Sequence, residues 1–180
     1  MYLAWRNRQL ALVPASVALA LVLHAAPAPA QTPGKDDPAA VTSRDGEYFD
    51  KNGIPTFHIA PDGTVDFYTY AGFIRYSGNC LQCHGPDGMG STYAPSLVNS
   101  LKSLTYDQFL ATVAGGKKDV NAAQTLVMPS LGTDRNVMCF IDAIYVYLRA
   151  RSDGALGRGR PAKHEPKSAA FGKAEDACMG

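Results

Sequence analysis

The residues with the clearest capacity for chemistry are two cysteines and a histidine in the run Cys80-Leu-Gln-Cys83-His84. Two thiols three positions apart can form thioether bonds to the two vinyl groups of a haem, and the adjacent histidine then lies over the iron. A zinc site would need a second ligand pair at similar spacing, and a redox dithiol would need a thioredoxin-like βαβ frame. Neither context is present, because Cys139 and Cys178 are far apart in sequence. The motif therefore predicts one covalently attached haem c.

An axial histidine needs an acceptor for its second ring nitrogen, which fixes the tautomer and the ring orientation. The segment Ala94-Pro95-Ser96-Leu97 is a candidate source of this acceptor. We expect the Pro95 carbonyl to accept a hydrogen bond from His84, since a carbonyl before the next helical turn is free to do so. The alternative is that Pro95 only starts that turn.

Met128, followed by Pro129, is the predicted sixth ligand of the iron. A thioether is a soft, neutral donor that favours reduced iron and raises the reduction potential. Four other residues are weaker candidates for the sixth ligand. Met89 comes just after His84 and would lie on the wrong side of the porphyrin, and Met138 is expected in the core of the last helix. Met179 is near the chain terminus, and His58 is expected to be a structural residue of a short strand.

A helix from about Thr69 is predicted to deliver the first cysteine. Gly72, Tyr76 and Cys80 recur at the helical spacing i, i+4, i+8, and the Gly/Pro-rich loop 85–90 follows the haem motif. The cysteines are therefore expected where this helix meets the loop.

Two further helices are predicted downstream. Thr105 and Gln108 form a capping-box pattern at the start of the second, which stops at Gly115-Gly116. The last spans about 136–151, and residues 117–133 between them lack a period and are predicted as a long loop. The apolar face of the last helix comprises Phe140, Ile144, Tyr147 and Leu148.

The flanking segments are predicted to be less regular. Residues 31–53 have linker composition, and 54–67 suggest two short extended pieces around a turn. Beyond the last helix lies a basic, Gly/Pro-rich tail. The chain accordingly divides into a signal peptide at 1–30, an N-terminal extension at 31–64, a main domain at 65–155 and a C-terminal tail at 156–180.

The first thirty residues have the features of a secretory signal. Arg6 and Arg8 precede an apolar run over 10–26, and Ala28-Pro29-Ala30 gives small residues at −3 and −1 of a cut before Gln31. An uncleaved anchor is the alternative. Cleavage predicts export to an oxidising compartment, with all four cysteines in the mature product.

The charge balance argues against nucleic acid as a partner. Of 17 Lys+Arg and 16 Asp+Glu in 180 residues, the signal carries two arginines, so 17 − 2 = 15 basic residues face 16 acidic ones in the mature chain. Binding to phosphates needs a clear basic excess. Since no second apolar run reaches membrane-spanning length, the mature product is expected to have no stable membrane insertion.

These motifs resemble those of class I cytochromes c over about residues 65–155. In that family a glycine lets the first and last helices cross closely, so the resemblance implies that Gly72 and Tyr76 meet Ile144 and Tyr147. The expected fold is mainly α, a class I cytochrome c fold with an N-terminal extension and a C-terminal tail.

A narrower resemblance covers the mature chain. The runs Gly63–Gly72, Cys83-His-Gly-Pro-Asp-Gly88 and Tyr147–Gly154, with the extra cysteine pair, are similar to the four-cysteine c-type cytochromes of methanol metabolism. These accept electrons from a lanthanide-dependent, PQQ-containing methanol dehydrogenase and are distantly similar to cytochrome cL. The resemblance implies a periplasmic, monomeric one-electron carrier that hands electrons to a downstream cytochrome or oxidase.

Cys139 and Cys178 are left over after haem attachment and are expected to form a disulfide in the oxidising compartment. This bond would turn the tail back across the main domain. The alternative is two separate thiols, one packed beside Phe140 and one at a frayed terminus.

Two other functions remain as alternatives. An open iron site would make a haem catalyst or sensor, and a membrane oxidase complex could contain such a chain as a soluble subunit.

Lys117 and Lys118 are either docking residues or solvated lysines at a helix end. The tail cations, predicted to be solvated, are Arg158, Arg160, Lys163 and Lys167.

Overall fold

The computed structural model describes residues 38–120 and 125–180, so the predicted signal peptide lies outside the described residues. Its helices are α1 (Phe67–Asn79), α2 (Leu81–His84), α3 (Leu97–Ser100), α4 (Tyr106–Gly115), α5 (Arg135–Met138), α6 (Ile141–Ser152) and α7 (Ala169–Met179). Its strands are β1 (Thr42–Arg44), β2 (Glu47–Phe49), β3 (Pro55–Thr56), β4 (Lys117–Val120) and β5 (Thr125–Met128). The mainly α fold class is confirmed.

Helix α6 forms the centre of the core. Its sequence predicts a single apolar face, yet nearly every residue of α6 is buried, because α1, α3, α4 and β3 all contact it. Burial extends to Arg149, whose guanidinium donates to the Asp153 carboxylate at 3.2 Å and to the Tyr145 hydroxyl at 2.8 Å. A buried charge is tolerated only with such partners.

The expected close crossing of α1 and α6 is present. A Cβ atom on Gly72 would lie 1.9 Å from the Ala143 carbonyl oxygen, so only glycine permits this approach. One turn later the Tyr76 and Tyr147 rings pack with centroids 5.5 Å apart. Ile144 belongs to the same core cluster. The crossing fixes the end of α1 relative to α6.

Within the segment 31–53, predicted as an irregular linker, the chain instead forms strands β1 and β2. They join β3, which lies in the segment predicted to be extended, in an antiparallel sheet in the order β1-β2-β3. Asp45 and Gly46 connect β1 to β2, and both have positive φ, 56° and 88°. An Asp-Gly pair with this backbone is the turn that a two-residue hairpin favours. The expected turn after residue 59 is also present, as an Ile59–Val65 bridge, although β3 pairs with β2 instead.

The last helix is interrupted where one continuous helix was predicted. It divides into α5 and α6 at Phe140, which has φ −129° and ψ 18°. The Arg75 guanidinium carbon lies 3.4 Å from the centre of the Phe140 ring, and the preceding Cys139 is bonded to Cys178. These tertiary contacts override local helix propensity at the break.

The tail is tied to the main domain by the predicted disulfide. Cys139 and Cys178 are bonded, with Cα atoms 5.8 Å apart. The tail also contains an unpredicted helix, α7, whose Phe171 ring packs on Phe67 and Tyr68, each with centroids 4.9 Å apart. Ser168 caps α7 by accepting from the Phe171 backbone N–H.

The four tail cations, predicted to be solvated, are exposed, and each also has a polar partner in the chain. Their side chains remain accessible, so the ion pairs contribute modestly to stability. The ion pairs are Arg158 with Asp87, Lys163 with Asp62 and Lys167 with Glu175, and Arg160 donates a hydrogen bond to the Tyr70 hydroxyl. Asp87, Tyr70 and Asp62 lie outside the tail, so three of these contacts join the tail to the rest of the chain, whereas Lys167 and Glu175 both belong to the tail. Among the described residues, no helix has the length and apolar character needed to cross a bilayer.

The N-terminal sheet places a carboxyl group in a cavity of about 250 Å³ beside the disulfide. Burial, with a contribution from the nearby Asp142 carboxylate, raises the pKa of Glu47 to about 7, although Arg44 and a hydrogen bond with Tyr68 oppose the shift. Its Oε1 atom is buried and has no hydrogen-bond partner among the described residues. Folding therefore favours the protonated form of Glu47 compared with the unfolded chain.

Replacement of this group should change how stability depends on pH. The pKa of Glu47 is about 7 in the folded chain, against an ordinary value of 4.5. Glu47 therefore does not lower the free energy of unfolding below pH 4.5, and it lowers it progressively as the pH rises from 4.5 through 7. In urea unfolding, Glu47→Gln should gain stability over the wild type across this window. Asp107→Asn, which removes an exposed carboxylate, should show no such gain. A Glu47→Gln difference independent of pH would contradict the assignment.

Candidate functional site

The two free cysteines lie where α1 ends. Asp66 begins α1 by accepting from the Thr69 backbone N–H at 2.7 Å, and the Cys80 N–H closes its last turn on the Tyr76 carbonyl at 2.8 Å. Cys80 is partly buried and Cys83 is exposed on α2. Burial, with a contribution from Cys83, raises the pKa of the Cys80 thiol to about 11.

His84 ends α2 and is buried, with 7% of its surface exposed. Its Nδ1 atom lies 3.0 Å from the carbonyl oxygen of Pro95. This is the partner expected from the sequence. With a proton on Nδ1 the pair forms a hydrogen bond, and Nε2 then retains a lone pair for a metal.

The Tyr76 hydroxyl holds the loop that follows His84. It donates to the Gly85 carbonyl at 2.5 Å and accepts from the Gly88 N–H at 3.0 Å. Gly85 has φ 73°, and a Cβ there would lie 2.3 Å from the Gly90 carbonyl oxygen. The sequence marked Tyr76 only as a packing residue, so its hydroxyl function was missed.

Asp87 connects this loop to the tail. Its carboxylate accepts from the Gly159 N–H at 2.9 Å and from Arg158 Nε at 3.0 Å. Although burial raises the pKa of Asp87, these hydrogen bonds and Arg151 hold it below its ordinary value. The residue has φ 59°, a left-handed conformation that Asp tolerates better than most residues. The tail therefore constrains the segment next to the haem motif.

Met128 ends a strand within a segment predicted as a loop. Strands β4 and β5 pair antiparallel, with Lys117 opposite Met128 and Lys118 opposite Val127. Met128 is half-buried against the same core cluster that Cys80 contacts, whereas Val127 is 55% exposed. The alternation of strand side chains places Met128 toward the core and Val127 toward solvent.

The competing donors lie in several environments, and Met138 packs against the same core cluster as Met128. Met89 is 48% exposed, Met138 contacts the main core, and Met179 packs against the cluster that contains Phe171. The His58 ring stacks on Tyr48 with centroids 4.5 Å apart. Within the described ranges, no cluster of three His, Cys, Asp or Glu side chains could hold a separate metal ion.

The donor set fits a covalently held haem. Two unpaired thiols lie three residues apart, a buried imidazole has its Nδ1 paired, and a half-buried thioether lies on the same core. Cys80 and Cys83 would form the thioether bonds, and His84 and Met128 would be the axial donors. The haem supplies one-electron chemistry at its iron.

No family model matches the chain. It is 53% identical over 134 residues to cytochrome c-553I of Paracoccus denitrificans, a match that covers 74% of this chain and 59% of that protein. It is 40% identical over 96 residues to cytochrome c-555 of Methylococcus capsulatus, covering 53% of this chain and 72% of that one. The chain belongs to the c-type cytochromes. The cytochrome therefore carries covalently bound haem c.

A solved structure extends the similarity to the fold of this cytochrome. The c-type cytochrome XoxG from Methylobacterium extorquens AM1 matches with a TM-score of 0.73 and 47% identity. The match covers 82% of this chain and 94% of that one. These relatives confirm the resemblance to a methanol-metabolism c-type cytochrome that the sequence motifs indicated.

Proposed function

We propose that this cytochrome is a one-electron carrier of methanol oxidation, with His84 and Met128 as the axial ligands of its haem iron. The observation that carries the proposal is the 3.0 Å pairing of His84 Nδ1 with the Pro95 carbonyl. It orients a neutral imidazole with Nε2 available to iron. A histidine held in this way, in the haem motif of a c-type cytochrome, is suited to permanent ligation.

The second axial donor separates a carrier from a catalyst. A thioether from Met128 would close the sixth position, and a six-coordinate iron has no open position for a substrate. Met128 is half-buried and is the last residue of the paired strand β5, so its position is restricted by the strand pairing. Closed coordination favours electron transfer over the alternative of a haem catalyst or sensor.

Spectroscopy of the purified holoprotein tests this proposal. The ferric form should show the far-red charge-transfer band of methionine bound to iron, and the ferrous form should not bind added carbon monoxide. A missing band together with rapid binding of carbon monoxide would indicate an open iron and would favour the catalyst or sensor. The same sample should retain its haem after denaturation, because thioether bonds do not depend on the fold.

The electron donor we propose is a lanthanide-dependent, PQQ-containing methanol dehydrogenase. Support comes from the similarity to the four-cysteine cytochromes of methanol metabolism and from the 47% identity to XoxG over most of both chains. The proposed acceptor is a downstream c-type cytochrome or an oxidase. Electron-transfer interfaces are small, so a monomeric, diffusible protein suits both encounters.

The proposed location is the periplasm. The Cys139–Cys178 disulfide is the type of bond that persists in an oxidising compartment, and the sequence predicts a signal peptide that would direct the chain there. The near-neutral charge of the mature chain supports a protein partner over nucleic acid.

A further inference from the structure

Helix α4 ends against the segment that contains the proposed methionine ligand. The N–H groups of Leu131 and Gly132 donate to the carbonyls of Val113 and Ala114 at 3.0 and 3.1 Å. The Ser130 hydroxyl also donates to the Ala114 carbonyl. The last carbonyls of a helix lack partners within the helix, so these hydrogen bonds join the backbone after Met128 to the end of α4.

Helix α4 is itself firmly placed. Thr105 and Gln108 form a complete capping box at its start. Its Phe109 side chain is buried, with the ring centroid 5.3 Å from that of Tyr145 on α6. Helix α4 is therefore packed against the central helix of the core.

Gly116 lies between this helix and the strand pair. It has φ 74°, and a Cβ there would lie 2.7 Å from the Met128 carbonyl oxygen, 2.8 Å from the Ser130 nitrogen and 2.9 Å from the Pro129 carbonyl carbon. All three contacts are with backbone, which cannot rotate away as a side chain could. The next residue, Lys117, is the strand partner of Met128. Gly116 thus contacts the methionine segment between the strand pairing of Met128 and the hydrogen bonds that join residues 130–132 to the end of α4.

We propose that Gly116 is a positioning residue for the Met128 thioether: its lack of a side chain lets the methionine segment lie against the end of α4 and keeps the sulfur at the iron. This inference rests on the proposed ligand role of Met128. The neighbouring Gly115 provides a matched control, since it is exposed, has nothing within 4 Å of a Cβ and does not have positive φ.

The test compares the Gly116→Ala and Gly115→Ala holoproteins with the wild type. In Gly116→Ala we expect a weaker far-red methionine band and ferric affinity for added imidazole raised at least about tenfold, because a strained ligand is displaced more easily. Gly115→Ala should match the wild type in both. An unchanged band and affinity in Gly116→Ala would overturn the proposal while leaving the ligand role of Met128 intact.

Two further measurements cover the cases in which Gly116→Ala does not fold or Met128 is not the ligand. If Gly116→Ala yields no holoprotein, Ser130→Ala, which removes only the hydroxyl bond to Ala114, should raise imidazole affinity several-fold. Unchanged affinity there would reject the positioning role. A wild-type protein without the methionine band would instead reject the proposed ligand itself, and with it this inference.

Discussion

Met128→Ala should leave the haem covalently attached but open the sixth position of the iron. In the proposed site Cys80 and Cys83 hold the haem independently of the methionine, so the yield of covalent haem should match the wild type. Loss of the soft axial donor destabilises the reduced state, and axial ligands span roughly 0.8 V of haem potential. We expect the potential to fall by on the order of 100 mV or more, with loss of the far-red band.

A redox titration and a ferric absorption spectrum of the purified variant measure both effects. Met89→Ala is the matched control, because Met89 is 48% exposed and its removal should leave the band and the potential unchanged. If Met128→Ala retains the band while Met138→Ala loses it, the ligand would be Met138 and the assignment would be wrong.

Removal of the disulfide should cause a large loss of stability. The bond closes a loop with a sequence separation of 39. In the chain-entropy model such a loop stabilises the folded state by about 4 kcal/mol, against a typical total of roughly 5–15 kcal/mol. The Cys139→Ser, Cys178→Ser double variant should therefore unfold at much lower urea concentration.

Other contacts of α7 should keep the tail in place on the folded protein when the disulfide is removed. Arg75 pairs with Glu175 at 3.0 Å, and Arg135 donates to the Met179 carbonyl at 2.8 Å. These interactions, with the packing of Phe171, should keep α7 in place in the folded variant, so its haem spectrum should not change. A loss of stability below about 1 kcal/mol in urea unfolding would show that the bond contributes little to the fold.

A local signal allowed the haem motif to be predicted, and the resemblance to class I cytochromes c implied the helix crossing at Gly72. Cys80, Cys83 and His84 lie within five consecutive residues, so their relative placement depends on one helical turn. Gly72 was informative because its lack of a side chain matters at one helix contact. The Asp45-Gly46 turn also had a readable signal, which the linker-like composition around it obscured.

The missed features depend on residues distant in sequence. The β4–β5 pair has little apolar alternation in Lys117–Val120, and its placement is set by the end of α4. The break at Phe140 arises where Arg75 and the disulfide meet the chain. The hydroxyl of Tyr76 finds its partners only after the loop at 85–88 has folded back. No local pattern encodes these contacts.

Stopped-flow mixing of the oxidised cytochrome with a lanthanide-loaded, PQQ-containing methanol dehydrogenase, reduced beforehand with methanol, tests the central claim most directly. We predict fast haem reduction that saturates with dehydrogenase concentration. If charge steers the encounter, the rate should also fall as salt is added, because salt screens exposed charges. The control is an unrelated class I cytochrome c of similar potential. A rate no greater than that of the control would contradict the proposed pairing.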